Sequence, residues 1–243
     1  MKLIFTLFLL AFLSTTTLQA QNWGWNNKSV RGNGDVVTQT RSLKDFDGVK
    51  ACCSFNVEIT PGANFSVEVE AESNLQEYIE TEVSGSTLEI GFRNRVSINN
   101  KQKITVFVTM PVLEKIDASS SADIVTIGAF EGDRLRLESS SASSIKVTYT
   151  GNRVDVDASS SGKITVSGKA GTIDAEASSG SNVHAEGLEV KEASADVSSG
   201  AGIRINASER LDAEASSGGR IRYQGNPSSV NADASSGGTV KKG

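Results

Sequence analysis

Histidine occurs once in this chain, at His184, and cysteine only as the adjacent pair Cys52 and Cys53. A lone imidazole leaves no second histidine for a metal centre, and it cannot serve as base to the many serines of the C-terminal half. Catalytic serines and a metal site are therefore not expected. Two neighbouring cysteines make no disulfide framework. Side chains of neighbours in a strand point to opposite faces. Cys53 is thus expected in the core with Ala51 and Phe55, and Cys52 outside, free to bridge to another chain rather than to its neighbour.

Aromatic residues make up only 6% of the 243, too little for a wide globular core but enough for a narrow one of small and β-branched residues. Basic residues number 24 against 29 acids, a formal charge of −5. A dedicated nucleic-acid binder would carry a basic excess, so no nucleic-acid partner is expected, and no cofactor either. Long apolar runs are also missing. The one at residues 3–13 is shorter than the roughly twenty residues a membrane helix needs, so the mature chain should hold no transmembrane segment.

That short run reads instead as part of a secretory signal over residues 1–20. Lys2 supplies the positive start, and Leu18-Gln19-Ala20 resembles a cleavage site. No cysteine follows to accept a lipid. The expected address is the periplasm, the outer membrane surface or the exterior.

What the chain has in abundance is a repeat. Its corners read Ala118-Ser119-Ser120-Ser121, Glu138-Ser139-Ser140-Ser141, Ala158-Ser159-Ser160-Ser161 and Ala177-Ser178-Ser179-Gly180. Val197-Ser198-Ser199-Gly200, Ala215-Ser216-Ser217-Gly218 and Ala234-Ser235-Ser236-Gly237 follow. Successive starts differ by 20, 20, 19, 20, 18 and 19 positions, the signature of stacked supersecondary units. Before each corner apolar residues alternate, as in Val154, Val156, Ala158, which is the period of a strand. After it an apolar residue returns six positions on, as from Ala158 to Ile164. The second unit breaks this rule and should bulge between Leu137 and Ile145. The fold class is all-β: a parallel β-helix or solenoid of about twenty-residue coils over residues 113–243. Its corners are small because tight bends need tolerant backbones, and the stacked serine hydroxyls are expected to bond along the axis.

Two outward positions are charged. Asp117, Asp157, Glu176, Asp196, Glu214 and Asp233 precede the corners, and Thr165, His184, Arg204, Arg222 and Lys241 follow them. Like charges stacked in register destabilise a sheet, and the fold alone does not require them. One reading is a solvated face that blocks aggregation; another is a ligand- or cation-binding stripe through Asp157, Glu176, Asp196, Glu214 and Asp233.

Residues 41–112 are β-rich and less periodic, with a turn at Pro61-Gly62 and a short helical turn capped by Ser73-Asn74. Their larger apolar side chains are expected to plug one end of the rod. Residues 21–40, rich in Asn and Gly, read as a flexible lead-in, with Trp23 and Trp25 folding back on the cap or standing ready for sugar rings or a partner.

Residues 41–49 (Arg-Ser-Leu-Lys-Asp-Phe-Asp-Gly-Val) and 55–62 (Phe-Asn-Val-Glu-Ile-Thr-Pro-Gly) carry a resemblance. So do Gly85-Ser86-Thr87-Leu88-Glu89-Ile90, Met110-Pro111-Val112-Leu113-Glu114-Lys115-Ile116 and Tyr223-Gln224-Gly225-Asn226-Pro227. Together they resemble the opening, middle and end of the family described as "Putative auto-transporter adhesin, head GIN domain". The resemblance implies a secreted or surface-associated β-helical domain of Bacteroidetes-like bacteria, with no catalytic residues to carry over. Self-translocation is not expected, because no membrane barrel follows Gly243. The expected function is a non-enzymatic, adhesin-like binding module that meets carbohydrate, matrix or envelope protein with its faces. The alternatives are a polysaccharide-active β-helix enzyme and an end-to-end scaffold.

Overall fold

The computed structural model describes residues 28–94 and 96–243; residues 1–20, read above as a secretory signal, and both tryptophans lie outside them. The N-terminal part holds β1 (Lys28–Arg31), β2 (Val36–Arg41), β3 (Gly48–Ala51), β4 (Asn56–Pro61), β5 (Ser66–Glu72), β6 (Ile79–Ser84), β7 (Thr87–Phe92), β8 (Val96–Asn99) and β9 (Thr105–Met110). The repeat holds β10 (Lys115–Ala118), β11 (Asp123–Ser139), β12 (Ser144–Ala158), β13 (Lys163–Ala177), β14 (Asn182–Val197), β15 (Gly202–Ala215), β16 (Arg220–Gln224), β17 (Ser229–Ala234) and β18 (Thr239–Lys242). The long strands run around the bends of the coil, so that one strand serves more than one side of the rod.

The fold is a β-solenoid. Parallel pairing runs without a break from β18 through β16, β15, β14, β13, β12, β11, β10 and β3 to β7. On either side of the corners, inward residues land on their equivalents one coil away. The register shifts only farther along, between Val125 and Ala129, Thr165 and Ser167, and Ala185 and Glu189, and again between Val190 and Glu192. Val57, Ile124, Ile145, Ile164, Val183, Ile203 and Ile221 form one such buried column. A second narrows from Ile116 and Leu137 to Ala175, Ala195 and Ala213. Like stacks on like at the strand spacing of about 4.8 Å, which explains why aromatic volume is scarce.

Corner geometry follows from backbone demands. The second and third corner residues sit in the left-handed region, for example Ser120 at φ 49° and Ser121 at φ 64°. The first corner amide donates to the coil before, as Ser159 N does to the Ser139 carbonyl, and the third to the coil after, as Ser161 N does to Ser179. These backbone bonds, not a hydroxyl ladder, tie corner to corner; among the described residues no hydrogen bond joins serine hydroxyls of successive corners. Serine hydroxyls act just after the corner instead, where buried Ser143 and Ser181 donate to the carbonyls of Ala118 and Ala158.

Several expectations are corrected. Ser139, not Glu138, stands where Ala118 and Ala158 stand. The corner spacing there is therefore 21 then 19, and Ile145 follows Ser139 by the usual six, with no bulge at that corner. Cys53 is exposed at φ 64° and bonded to Cys52. The strand carrying Ala51 has ended, so the alternation that placed Cys53 in the core no longer applies. Part of the supposed flexible lead-in is strand: β1 pairs with β8, and β2 lies antiparallel on β5.

The N-terminal part continues the rod before ending it. β3 and β4 flank a further corner and stack on β10 and β11, with β7 and β9 beneath them. The antiparallel strands β6, β5 and β2 then close that end. A single 3-10 turn, Gln76–Tyr78, follows β5; Leu75, not Ser73-Asn74, is its cap. Asn74 instead bonds Asn33 N and the Arg31 carbonyl, and Ser73 accepts from Asn33.

Candidate functional site

The charged positions form two columns in register. Asp117, Glu138, Asp157, Glu176, Asp196, Glu214 and Asp233 pair rung on rung, alternating aspartate with glutamate. Glu138 escapes a count of twenty from Asp117 because that coil is 21 residues long. Burial and then the neighbouring Glu138 carboxylate raise the Asp117 pKa, with Lys50 and Lys115 opposing. Glu138 is balanced by Lys115 at 3.3 Å and Arg136 at 2.6 Å.

Beyond it the column is bare. Asp157, Glu176, Asp196, Glu214 and Asp233 have no ion-pair partner among the described residues. No set of three or more His, Cys, Asp or Glu among those residues is placed to hold a metal ion. The carboxylates lie in a line along one face, about 4.8 Å per rung, and do not converge on a point. One step from the corner the same face is stitched by ion pairs. Arg134 and Arg153 both reach Asp155, Arg153 also reaches Asp174, and Arg210 reaches Asp212. Hydrogen bonds from Asn231 and then Arg210 hold Asp212 below its ordinary pKa.

Past the corner lies the basic column: Lys146, Thr165, His184, Arg204, Arg222 and Lys241 in register. Arg220 stands two residues before Arg222 on the same face. Its signal was available in the sequence, as an i, i+2 pair on a strand. Glu186 lies 3.4 Å from His184 Nδ1 and 3.6 Å from Arg204.

Fold and surface together define a class: a β-solenoid closed at its N-terminal end by antiparallel strands, with oppositely charged columns on adjoining faces. The chain belongs to the family described as "Putative auto-transporter adhesin, head GIN domain", whose model matches residues 45–227. Solved structures share the fold. A putative adhesin from Bacteroides fragilis superposes with a TM-score of 0.81 at 20% identity, covering 88% of this chain and 99% of that one. A putative adhesin from Parabacteroides merdae gives 0.72 at 20% identity, with 89% and 99% covered. A protein from Parabacteroides distasonis, titled a putative lipid binding protein, gives 0.71 at 20%, with 89% and 100% covered. No curated protein matches significantly. No helix among the described residues is long and apolar enough to cross a membrane.

Proposed function

We propose that this protein is an exported, non-enzymatic binding module of the cell envelope, which meets carbohydrate or envelope and matrix protein with the faces of its rod. The observation that carries the reading is the run of five unpaired carboxylates, Asp157 to Asp233, in register beside a largely basic column. Stacked like charges cost some tenths of a kcal/mol per pair. They persist on two faces where neutral polar residues would fold as well.

The adhesin family name agrees with this reading. A polysaccharide-active enzyme would need two carboxylates flanking a scissile bond, whereas these lie along one flat face and resemble one another from rung to rung. An array of glycans and envelope polymers, probed with the purified protein, tests the proposal. Binding to a polymer class that is lost on neutralising one charged column supports it; a blank array removes it. End-to-end assembly is the second reading, favoured by β17, all of whose residues are exposed, Val230 to 44%. Concentration-dependent size-exclusion chromatography tests it, and a monomer at every concentration removes it.

A further inference from the structure

Immediately after the Ser-Ser-Gly corners, strands β14, β15 and β16 present two outward columns. The nearer reads Asn182, Gly202, Arg220 and the farther His184, Arg204, Arg222, all in register. These positions form a grid about 4.8 Å between rungs and about 6.6 Å along each strand. The middle place of the nearer column is empty because Gly202 has no side chain. A groove of about 210 Å³ opens there, walled by Arg204, Arg220, Arg222, His184 and Asn182 and reaching the corner at Gly200.

The backbone does not require that glycine. Its φ is outside the left-handed region, and an added Cβ would meet nothing nearer than Asn182 Oδ1 at 3.2 Å. Gly168 differs: there a Cβ would come within 2.1 Å of the Tyr149 carbonyl oxygen. Arg220 and Arg222 have no ion-pair partner among the described residues. From Ser144 to Lys241 neither column contains a carboxylate. Glu186 follows His184 by two residues, beyond the grid, and engages Arg204 and His184.

We infer that this grid binds an anionic glycan, a linear sugar polymer bearing carboxylate or sulfate groups, laid along the rod axis. The inference rests on the binding-module reading and names its ligand class. Guanidinium forks match carboxylate and sulfate oxygens in bidentate geometry. Lys241 adjoins Arg222 on one side, and Lys163 and Lys146 lie beyond His184 on the other, so a polymer meets positive charge on most rungs. The groove is open, shallow and polar, unlike the concave, apolar pockets that take small molecules. A nucleic-acid duplex fits less well. The face is five residues wide where β15 pairs with β16, about 16 Å. A broader polyanion would overhang the corner and meet Asp196, Glu214 and Asp233.

The test is biolayer interferometry with the purified full chain against polygalacturonate and heparin oligosaccharides, neutral dextran, other envelope polymers and a short DNA duplex. Both acidic glycans should bind, dextran should not, and added salt should weaken binding. Arg220→Ala with Arg222→Ala should weaken it about tenfold or more. Gly202→Val, which leaves the charge unchanged and fills the groove, should do the same while the melting temperature confirms folding; the arginine variant, altered only at the surface, stands as an independent readout. Lys169→Ala with Lys191→Ala removes equal charge from another side of the rod and should change affinity less than about twofold. Acidic glycans binding no better than dextran, the lysine variant weakening binding as much as the arginine variant, or the duplex binding more tightly would each overturn the inference. A hit for another envelope polymer alone overturns it but leaves the binding-module reading standing; no hit at all removes both.

Discussion

Cys53 occupies the corner position that Ser120 holds one coil further on. Ala51 pairs with Ala118 and Asn56 with Asp123, so Cys52, Cys53 and Ser54 match Ser119, Ser120 and Ser121 residue for residue. The backbone agrees, with φ 64° and 63° at Cys53 and Ser54 and an amide bond from Ser54 to the Ser120 carbonyl. The disulfide thus takes the place of a Ser-Ser corner that already folds without it elsewhere in the rod.

Replacing both cysteines, Cys52→Ser with Cys53→Ser, should therefore cost less than about 1 kcal/mol. A disulfide stabilises by closing a loop in the unfolded chain, and a bond between neighbours closes almost none. Urea denaturation of wild type, reduced wild type and the double variant checks this. A loss beyond about 3 kcal/mol would mean that the bond holds the corner in a way serine cannot.

Neutralising the bare carboxylates should raise stability. In Asp196→Asn with Glu214→Gln the fold keeps its rungs and loses repulsion along the column. The gain should be about 0.5 kcal/mol, shrinking as salt is added. Thermal melts at low and high ionic strength read it. A loss of stability in the variant would show that the column holds favourable partners, contrary to its unpaired geometry.

The rod was legible in the sequence because a solenoid writes its cross-section once per coil. Val156, Ile164 and their equivalents gave period, fold and inward faces directly. Ser139 in an alanine's place disguises one corner and Cys52-Cys53 another, because residue names mark neither and only the distance to Ile145 and Val57 does. The antiparallel closure by β2, β5 and β6 has no period to reveal it. At the surface, His184, Arg204 and Arg222 could be aligned by counting. The Gly202 gap could not, since an absent side chain matters only once the rungs on either side are known to flank it.

Tyr149 shows how a rung can carry a misfit. It pairs in register with Phe130, its side chain is fully buried, and its hydroxyl has no hydrogen-bond partner among the described residues. Burial, then the Asp133 and Glu114 carboxylates, pushes its pKa up to about 12. An unpaired buried hydroxyl is a cost that phenylalanine lacks. Tyr149→Phe should be neutral or stabilise by up to about 1 kcal/mol, measured by denaturant titration. Destabilisation by a similar amount would show that the hydroxyl is satisfied in solution.

Glu72 sets the expected response of the capped end to acid. It is fully buried at the end of β5, and its carboxylate accepts from the amides of Gly34 at 2.5 Å, Lys101 at 2.8 Å and Gln102 at 3.4 Å. Burial alone would raise its pKa; the three backbone donors, with the Lys101 charge, outweigh it and hold the pKa below the ordinary 4.5. The folded state therefore binds this proton less readily than the unfolded chain. The stability it contributes is present in full above the unfolded pKa and is lost as pH falls through the depressed folded value. Wild type should lose stability below about pH 4.5, the unfolded carboxylate value. Glu72→Gln should be the less stable protein at pH 7 and should lose less on acidification, because it has no such proton to take up. Hydrogen exchange at Gly34, Lys101 and Gln102, followed from pH 6 downward, would localise the effect. Unchanged protection at these amides in the variant would mean that the loops are held by something other than the carboxylate.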